Sequence, residues 1–475
     1  MNKLHILHTN DIHSHFHQMP FIASGIRSLR RQYENNGDQV VTVDLGDHMD
    51  RMSPVTEATW GQANIEVMNK TGYNLAAIGN NEGLTFPKQQ LGELYRNAQF
   101  EVICHNLIDR TTRKIPDFIK PYVIREYNGL RIGWISVTAP FHTFYHLLGW
   151  QILDPFEQVK VALDQLRSHT DLIIILSHLG YKQDQLLAQQ FPEIQVILGA
   201  HTHHLLMAGE KINQTFIIQA GKFGQYIGRT TIEYDPRTRQ VGAIYGSCYE
   251  SQYFGIDREI QEVIDRRSLQ SDHILSPSVV HLQELYAIDW KMESPLGNLL
   301  AEGIRNWVEA DISMVNAGQI LFSLPPGPVS KKDLLTVCPH PINPCRLKLK
   351  GKAIQQILEQ SLMESNISRE IRGFGFRGKV LGWMCVDGME ITYDPSGVEG
   401  QRICKITING NPLQAEKVYT VGTIDMFTFS WVYPLFREDP QVEYFLPEFI
   451  RDVLEKELQS DNAMHSSSKK RWISL

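Results

Sequence analysis

Residues 171–204 read DLIIILSHLGYKQDQLLAQQFPEIQVILGAHTHH, and their pattern decides the fold of the first half of the chain. Two apolar runs in this stretch each end in a polar cluster that contains histidine. The same pattern occurs earlier in KLHILHTND, VVTVDLGD, LAAIGNNE, FEVICHN and LRIGWISVTAP, and segments of helical spacing such as FIASGIRSLRRQYENNG and PFEQVKVALDQLRSHT lie between several of these runs. Continuous apolar strands that alternate with helices indicate a buried sheet in an α/β layered domain.

The length and the change of pattern along the chain predict two domains. A chain of 475 residues is too long for one ordinary core. The strand rhythm covers residues 1–250 and closes with FIIQAG and GRTTIEYDP, and the charged segment 251–275 is predicted to be a linker helix. Residues 276–475 mix helical segments such as SPLGNLLAEGIRNWVE with strands such as RICKITING, which predicts an α+β or α/β domain. The last residues, NAMHSSSKKRWISL, are expected to be poorly ordered.

The composition argues against several classes of protein. A net charge of −7 argues against a protein that tracks nucleic-acid phosphates, because such proteins usually carry a basic stripe. The N-terminus lacks the apolar segment of a secretory signal, and no stretch approaches the roughly 20 apolar residues of a membrane span. Six scattered cysteines without the spacing of a disulfide framework indicate reduced thiols. The sequence therefore predicts a cytoplasmic protein with no nucleic-acid or membrane partner, and it leaves the oligomeric state open.

Five polar clusters follow predicted strand ends in the first half. They have the form D-x-H, G-D, G-N, a single histidine and H-x-H, and their candidate ligands are Asp11, His13, Asp47, Asn80, His178, His201 and His203. Residues i and i+2 of an extended chain project to the same side, so each spaced pair can aim both side chains at one point. Any one of these histidines alone would more often be structural. Their joint occurrence predicts a metal site whose carboxylate, imidazole and amide-oxygen ligands suit manganese, zinc, iron or cobalt.

The order D-x-H, G-D, G-N-[H/N]-E, H and G-x-H-x-H resembles that of the calcineurin-like metallophosphoesterases. With HTNDIHSHF, SPLGNLLAEGIR and ADISMVNAG, the whole chain looks like a two-domain 5'-nucleotidase of the UDP-sugar hydrolase and 2',3'-cyclic-nucleotide phosphodiesterase group. This resemblance implies an N-terminal metallophosphatase β-sandwich flanked by helices, a linker helix, and a substrate-binding C-terminal α/β domain of the 5'-nucleotidase type.

The resemblance also implies two divalent metal ions and a reaction. One ion would be held by Asp11, His13, Asp47 and His203, and the other by Asp47, Asn80, His178 and His201. Attack of a hydroxide that bridges the two ions would release phosphate from nucleoside 5'-monophosphates, a step of nucleotide catabolism. Nucleotide-sugar pyrophosphates and cyclic nucleotides are the alternative substrates. A non-catalytic, metal-dependent nucleotide-binding regulator is the alternative of another class, and the acidic balance disfavours a nuclease.

The candidate site departs from the family pattern at the position of its catalytic histidine. Where the resembled family has G-N-H-E-F-D, this chain has Asn81 in place of the histidine and Leu84 in place of the aspartate. An amide can donate a hydrogen bond but cannot supply a proton at neutral pH. The predicted catalytic residues are therefore Asn81 and His48. His48, which follows Asp47 directly, is the predicted acid, and His105 is a weaker candidate for that role. A substrate with a good leaving group, or an impaired enzyme, would also be consistent with Asn81.

The second half departs from the family pattern as well. The family's N-G-G-G-[IL]-R segment, whose arginine contacts the substrate, is replaced here by residues 316–321, NAGQIL. The segments GFGFRGKVLGW and IDMFTFSWVYP stand near the family's aromatic substrate loops, and their rings and cations could meet a base and a phosphate. The predicted substrate-binding residues are Asn316, Gly318, Phe374, Phe376, Arg377, Phe427 and Phe429.

Overall fold

A computed structural model of the chain describes residues 1–371, 373, 375–429, 431–439 and 441–475. The chain forms two compact units, Met1–Ser271 and Asp272–Leu475. Each unit encloses buried apolar cores of its own. Within these described ranges, no helix is long and apolar enough to cross a membrane.

Two six-stranded sheets form the framework of the first unit. The strands of one sheet are, in spatial order, Val241–Glu250, Tyr226–Tyr234, Asn2–Thr9, Gln39–Asp44, Leu75–Ala77 and Glu101–Ile103. Those of the other are Glu210–Ile212, Thr215–Ile218, Val196–Gly199, Leu172–His178, Leu130–Thr138 and Tyr122–Tyr127. The short strands Leu107–Asp109 and Trp150–Ile152 pair separately.

Helices connect these strands and cover the outer faces of the two sheets. The α-helices are Met19–Asn35, Pro54–Thr59, Gln62–Thr71, Asn80–Thr85, Lys88–Tyr95, His142–Leu147, Pro155–Leu166, Tyr181–Gln190 and Arg258–Leu275, and the 3-10 helices are Phe16–Gln18 and Ser251–Phe254. The predicted linker helix, residues 251–275, begins in the structure at Arg258 and ends at Leu275. Its Ile260 and Val263 are buried in the apolar core of the first unit, so this part of the helix packs as a component of that unit.

Three apolar layers hold the first unit together. The layer between the sheets contains Leu4 and Val43 from one sheet and Trp134 and Ile174 from the other. The other two layers join each sheet to its helices. Since each fully buried large apolar side chain stabilises the fold by about 1.5–3 kcal/mol, these layers dominate its stability. The predicted α/β sandwich flanked by helices is confirmed.

Parallel pairing brings the predicted ligands to one edge of the sandwich. The strands Asn2–Thr9, Gln39–Asp44 and Leu75–Ala77 run parallel, as do Leu172–His178 and Val196–Gly199. The carboxyl ends of parallel strands meet at the same edge of a sheet. Every one of the seven predicted ligands lies at or just beyond such an end.

The second unit contains a mixed sheet and an antiparallel sheet extended by the C-terminus. The five-stranded sheet has the order Met384–Asp387, Ile312–Asn316, Val418–Ile424, Pro344–Lys350 and Glu443–Tyr444. The four-stranded sheet has the order Asn411–Pro412, Ile403–Ile408, Met389–Tyr393 and Trp472–Ser474, and Ser278–Leu282 pairs with Gly327–Ser330. The α-helices are Pro295–Trp307, Lys331–Val337, Gly351–Ser361, Glu364–Ile367, Asp425–Phe429, Ile450–Leu458 and Asp461–Ser467, with 3-10 helices at Ala317–Gln319 and Pro434–Arg437.

The expectation of a poorly ordered C-terminus is wrong. The segment forms the helix Asp461–Ser467 and the edge strand Trp472–Ser474, which pairs in parallel with Met389–Tyr393. The Trp472 ring is 4% exposed, and its indole N–H donates to the Met384 carbonyl at 3.0 Å. A buried indole that also finds an acceptor anchors the end of the chain in a way that its polar composition does not indicate.

Candidate metal centre

Six of the seven predicted ligands come together in two groups. The first contains Asp11, His13 and His203, with 3.2 Å between the two imidazole Nε2 atoms and 3.5 Å from His203 Nε2 to Asp11 Oδ1. The second contains Asp47, His178 and His201, with 3.4 Å from His178 Nε2 to Asp47 Oδ2. The groups adjoin each other, because His13 Nε2 lies 3.9 Å from Asp47 Oδ2.

The backbone at these residues adopts a conformation that non-glycine residues rarely tolerate. Asp11, His13, Asp47, His201 and His203 all have positive φ, from 46° to 75°. Such a residue costs of order 1–3 kcal/mol and persists only where its surroundings fix it. Here the surroundings are mutual hydrogen bonds: His13 N–H donates to the Asp47 carbonyl at 2.9 Å, and His201 N–H donates to Asp11 Oδ2 at 3.0 Å. Strain concentrated on five of the seven predicted ligands is typical of a functional site.

Two of the predicted ligand atoms are buried without a hydrogen-bond partner in the described part of the chain, namely His178 Nε2 and Asn80 Oδ1. His178 is 0% exposed, its Nδ1–H donates to the Leu45 carbonyl at 2.8 Å, and its Nε2 lies 3.4 Å from Asp47 Oδ2. Buried polar atoms are normally satisfied, and buried carboxylates are paired or coordinate metals. The donor set therefore fits divalent cations, with imidazoles oriented by hydrogen bonds from their other nitrogen.

The electrostatics of the second group also favour a cation. Burial lowers the pKa of His178, but the Asp47 carboxylate outweighs burial and raises that pKa to about 10. Burial would raise the pKa of Asp47, yet His178 and His13 hold it below its ordinary value. Burial and His178 lower the pKa of His201 to about 4. Without a metal ion, a proton on His178 balances Asp47, and a bound ion would displace that proton.

Comparison with known proteins identifies the family. Residues 4–205 match the calcineurin-like phosphoesterase family, and residues 279–430 match the 5'-nucleotidase C-terminal domain. The chain is 38% identical over 454 residues to the uncharacterized metallophosphoesterase YunD of Bacillus subtilis, which covers 95% of this chain and 98% of that protein. The chain belongs to this family. It is an enzyme that hydrolyses phosphoesters, and the family resemblance inferred from its motifs is confirmed.

Two further proteins are similar to this phosphoesterase, one in sequence and one in fold. It is 26% identical over 401 residues to a 5'-nucleotidase of Vibrio cholerae, and the match covers 71% of each chain. The solved structure of the NAD nucleotidase of Haemophilus influenzae has the same fold, with a TM-score of 0.69 at 17% identity over 100% of this chain and 99% of that chain.

Asn81 lies at the point where the two ligand groups adjoin. Its backbone N–H donates to Asp47 Oδ1 at 2.7 Å, and its side-chain Nδ2 donates to the Met49 carbonyl at 3.2 Å. The same Nδ2 lies 2.9 Å from His13 Nδ1, and the residue is 8% exposed. Asn81 thus lies beside the His13 ring and fixes the Asp47 carboxylate through its backbone N–H.

The geometry of His48 argues against its predicted role as a proton donor. The residue is 2% exposed, and its Nε2 has no hydrogen-bond partner among the residues described. Its ring meets Tyr73 edge to face at 6.4 Å, and its Nδ1 faces Asn64 Nδ2 at 3.4 Å. Burial, with a smaller effect of His13, lowers its pKa to about 3, so the imidazole is neutral at pH 7 and a poor acid. The positive φ of Asp47 turns the chain, so adjacency in sequence does not direct the His48 ring to the ligands.

His105, the weaker candidate for the acid, and Leu84, at the family's aspartate position, both make structural contacts. His105 is 6% exposed, its Nδ1–H donates to the Pro121 carbonyl at 3.1 Å, and its ring stacks on Tyr122 with centroids 6.3 Å apart. Leu84 packs against the apolar core of the first unit. Neither side chain is arranged to deliver a proton.

Glu82 is a functional residue that sequence reasoning missed. Its carboxylate is 1% exposed and accepts hydrogen bonds from the N–H groups of Asp47 at 2.9 Å, Met49 at 2.9 Å and Gly79 at 3.0 Å. It thereby ties the loop that carries Asp47 to the helix that begins at Asn80. A Cβ atom at Gly79 would lie 2.1 Å from Asp47 Oδ1, so this approach requires glycine. The glutamate of the G-N-N-E motif was the available signal.

Asn10 contacts the ligand Asp11, and Asp50 contacts the ligand His13. Neither contact was predicted from the sequence. Asn10 Nδ2 donates to Asp11 Oδ2 at 2.8 Å and to the Gly221 carbonyl at 2.7 Å, so it fixes the carboxylate against the loop that follows the last parallel strand. Asp50 is 2% exposed, and its Oδ2 lies 3.5 Å from His13 Nδ1. A carboxylate beside the second nitrogen of a metal-binding imidazole is a common means of fixing its tautomer.

Two of the predicted substrate-binding residues in the second unit have structural roles instead. Asn316 is 0% exposed, its Nδ2 donates to the Leu381 carbonyl at 2.6 Å, and its Oδ1 accepts from Gln319 Nε2 at 2.8 Å. Gly318 N–H donates to the same carbonyl at 3.0 Å, and a Cβ atom there would lie 2.0 Å from the Val380 carbonyl oxygen. The prediction that these two residues contact substrate is corrected, because their polar groups hold the loop together.

The predicted aromatic contacts divide into buried and accessible rings. Phe376 is 4% exposed and Phe427 is 0% exposed, and both belong to the apolar core, so the prediction that they stack on a base is wrong for this structure. Phe374 lies outside the described residues. Phe429 is 37% exposed and stacks on a tyrosine, and Arg377 is partly exposed. These last two side chains keep surface that a ligand can reach.

Proposed function

We propose that this phosphoesterase uses two divalent metal ions to release phosphate from nucleoside 5'-monophosphates. The observation that carries the proposal is the pair of adjoining ligand groups at one sheet edge. In the described part of the chain, two buried ligand atoms there have no hydrogen-bond partner. By this proposal the ions are held by Asp11, His13, Asp47 and His203, and by Asp47, Asn80, His178 and His201. Bound ions of the manganese, zinc, iron or cobalt class supply Lewis acidity and a water of lowered pKa.

The protein's own contribution is to fix the ligands before substrate binds. The Leu45 carbonyl sets the tautomer of His178, and Glu82 and Asn81 hold Asp47 from its backbone and its side chain. Preorganised groups need no reorganisation during the reaction, which is a large part of what an enzyme site provides. The positive φ values of the ligands are consistent with this rigid arrangement.

The nucleoside preference is supported by the second unit and by the relatives. Residues 279–430 match the 5'-nucleotidase C-terminal domain, and the Vibrio cholerae relative is a 5'-nucleotidase. We propose Phe429 as a stacking surface for the base and Arg377 as a contact for an anionic or hydroxyl group of the substrate. Both side chains are at least partly exposed within their unit.

A substrate panel tests this proposal. Metal-stripped protein is supplied with Mn²⁺, and phosphate release is followed with AMP, UMP, ADP, UDP-glucose, 2',3'-cyclic AMP and bis-p-nitrophenyl phosphate, beside an Asp47→Ala variant. We expect metal-dependent turnover that is highest on the two monophosphates and is lost in the variant. Preference for UDP-glucose or for the cyclic nucleotide would replace the proposed substrate with one of the alternatives, and no turnover on any compound would contradict the proposal.

The cytoplasmic location and the absence of nucleic-acid partners stay predictions. The acidic net charge of −7 supports the second of them. Fractionation of cells that express the tagged protein would test the location, and a DNA-binding assay at low salt would test the partner.

A further inference from the structure

The loop Gly221–Gly224 is pinned beside the first ligand group. Phe223 N–H donates to the Asp11 carbonyl at 2.7 Å, and the Gly221 carbonyl accepts from Asn10 Nδ2 at 2.7 Å. On the other side, Gly221 N–H donates to the His204 carbonyl at 2.9 Å. The loop is therefore tied to both chain segments that supply ligands to this group.

The Phe223 ring stands against the histidines of that group. Its centroid lies 5.9 Å from the ring of His13 and 6.3 Å from the ring of His203, and it stacks on His15 at 3.9 Å. Phe223 has a φ of 59°, which is rare for an aromatic residue. Backbone strain at a residue whose ring lies beside two candidate ligands is typical of a residue held in place for function.

The ammonium group of Lys222 lies over the Phe223 ring. Its Nζ atom is 4.5 Å from the Phe223 centroid, and the residue is partly buried. Across the residues described here, Lys222 forms no ion pair. A cation–π contact at a partly exposed position is worth only about 0.5–1 kcal/mol. The ammonium group can therefore leave the Phe223 ring for an anion at little cost.

We propose that Lys222 is a further catalytic residue, whose ammonium group binds the phosphoryl oxygens of the substrate at the first ligand group. The inference rests on the proposed phosphohydrolase function. Asn81 occupies the family's histidine position and carries no charge, and the His48 ring is 2% exposed. Lys222 would thus supply the positive charge that Asn81 does not. Its flexible side chain has three donors and can follow the phosphoryl group as charge develops.

Binding of inorganic phosphate tests the proposal without relying on turnover. The Mn²⁺-loaded protein is titrated with phosphate in a calorimeter, beside Lys222→Gln, Lys222→Arg and the control Lys211→Gln on the edge strand Glu210–Ile212. A charge-assisted hydrogen bond predicts that Lys222→Gln weakens phosphate binding about tenfold to a hundredfold. Lys222→Arg should keep most of the affinity, and the control all of it. Equal affinities for Lys222→Gln and the control, or no phosphate binding by the wild type, would overturn the proposal.

Kinetics separate a phosphoryl contact from a structural role. We expect Lys222→Gln to lower kcat/KM more for AMP, a dianion, than for bis-p-nitrophenyl phosphate, a monoanion, with unchanged Mn²⁺ stoichiometry and Tm. Equal losses on both substrates, or a lower Tm, would show that the lysine only stabilises the loop. An active wild type with an unaffected variant would overturn this inference alone, whereas an inactive wild type that still binds phosphate through Lys222 would count against the proposed function.

Discussion

Replacing Glu82 with alanine removes the acceptor of three backbone hydrogen bonds, from the N–H groups of Asp47, Met49 and Gly79. A buried donor left without an acceptor costs about 1–3 kcal/mol, so the three together would cost roughly 3–9 kcal/mol. Part of this loss is offset because the buried charge is itself unfavourable: burial, and then Asp47, raise the pKa of Glu82 to about 7. We therefore expect Glu82→Ala to lower the free energy of unfolding by about 3–6 kcal/mol. Mn²⁺ binding should weaken as well, because the loop that carries Asp47 is released.

Urea unfolding of the metal-free protein measures the stability, and calorimetric titration with Mn²⁺ measures the site. The control is Glu93→Gln on the exposed face of the helix Lys88–Tyr95, which should change stability by less than about 0.5 kcal/mol. Since the folded state holds the Glu82 proton up to about pH 7 and the unfolded chain releases it near 4.5, Glu82 makes stability fall as pH rises between these values. Glu82→Gln should remove that slope. A Glu82→Ala protein with wild-type stability and Mn²⁺ affinity would refute this account of the loop.

Three further changes test other parts of the structure. Gly79→Ala places a methyl group 2.1 Å from Asp47 Oδ1 and should weaken Mn²⁺ binding at least about tenfold, a loss within the roughly 1–3 kcal/mol that overpacking costs. The control Gly92→Ala, whose nearest contact would be 3.4 Å away, should bind Mn²⁺ with wild-type affinity in the same calorimetric titration. Phe427→Ala should cost about 3–5 kcal/mol in urea unfolding, while Phe429→Ala should leave stability within about 1 kcal/mol and raise KM for AMP. Burial lowers the pKa of His8 from its ordinary 6.5 to about 3. The free energy of unfolding should therefore fall by up to about 1.4 kcal/mol per pH unit as the pH drops from 6.5 towards 3, and His8→Leu should flatten that slope in urea unfolding.

The sequence predicted the first unit well because its chemistry follows the strand pattern. Apolar runs mark the buried parallel strands, and the polar residues after them meet at one edge whatever the details of the loops. Asp11 and His13 lie in one ligand group, as their spacing predicted, whereas His201 and His203 lie in different groups. The positive φ of these residues shows that they do not follow the extended backbone on which that prediction rested. Glu82 escaped this reasoning because its hydrogen bonds reach Asp47 and Met49, which are distant in the chain.

The errors arose where side-chain direction decides the outcome. Phe427 and Phe429 are two residues apart, yet they lie on a short helix that buries the first and exposes the second. His48 follows a proposed ligand directly, but a backbone with positive φ at that ligand turns its ring into the protein interior. Neither outcome can be derived from composition or spacing, because each depends on the packing of residues from other parts of the chain.

The number of metal ions per chain tests the central claim most directly. Metal-stripped protein is titrated with Mn²⁺ under equilibrium dialysis, and bound manganese is measured by mass spectrometry for the wild type, His203→Ala and Asp47→Ala. We expect two ions per wild-type chain, one tightly bound ion in His203→Ala, and a loss at both sites in Asp47→Ala. One ion or none in the wild type, or two tightly bound ions in Asp47→Ala, would contradict a dinuclear centre built on the two ligand groups.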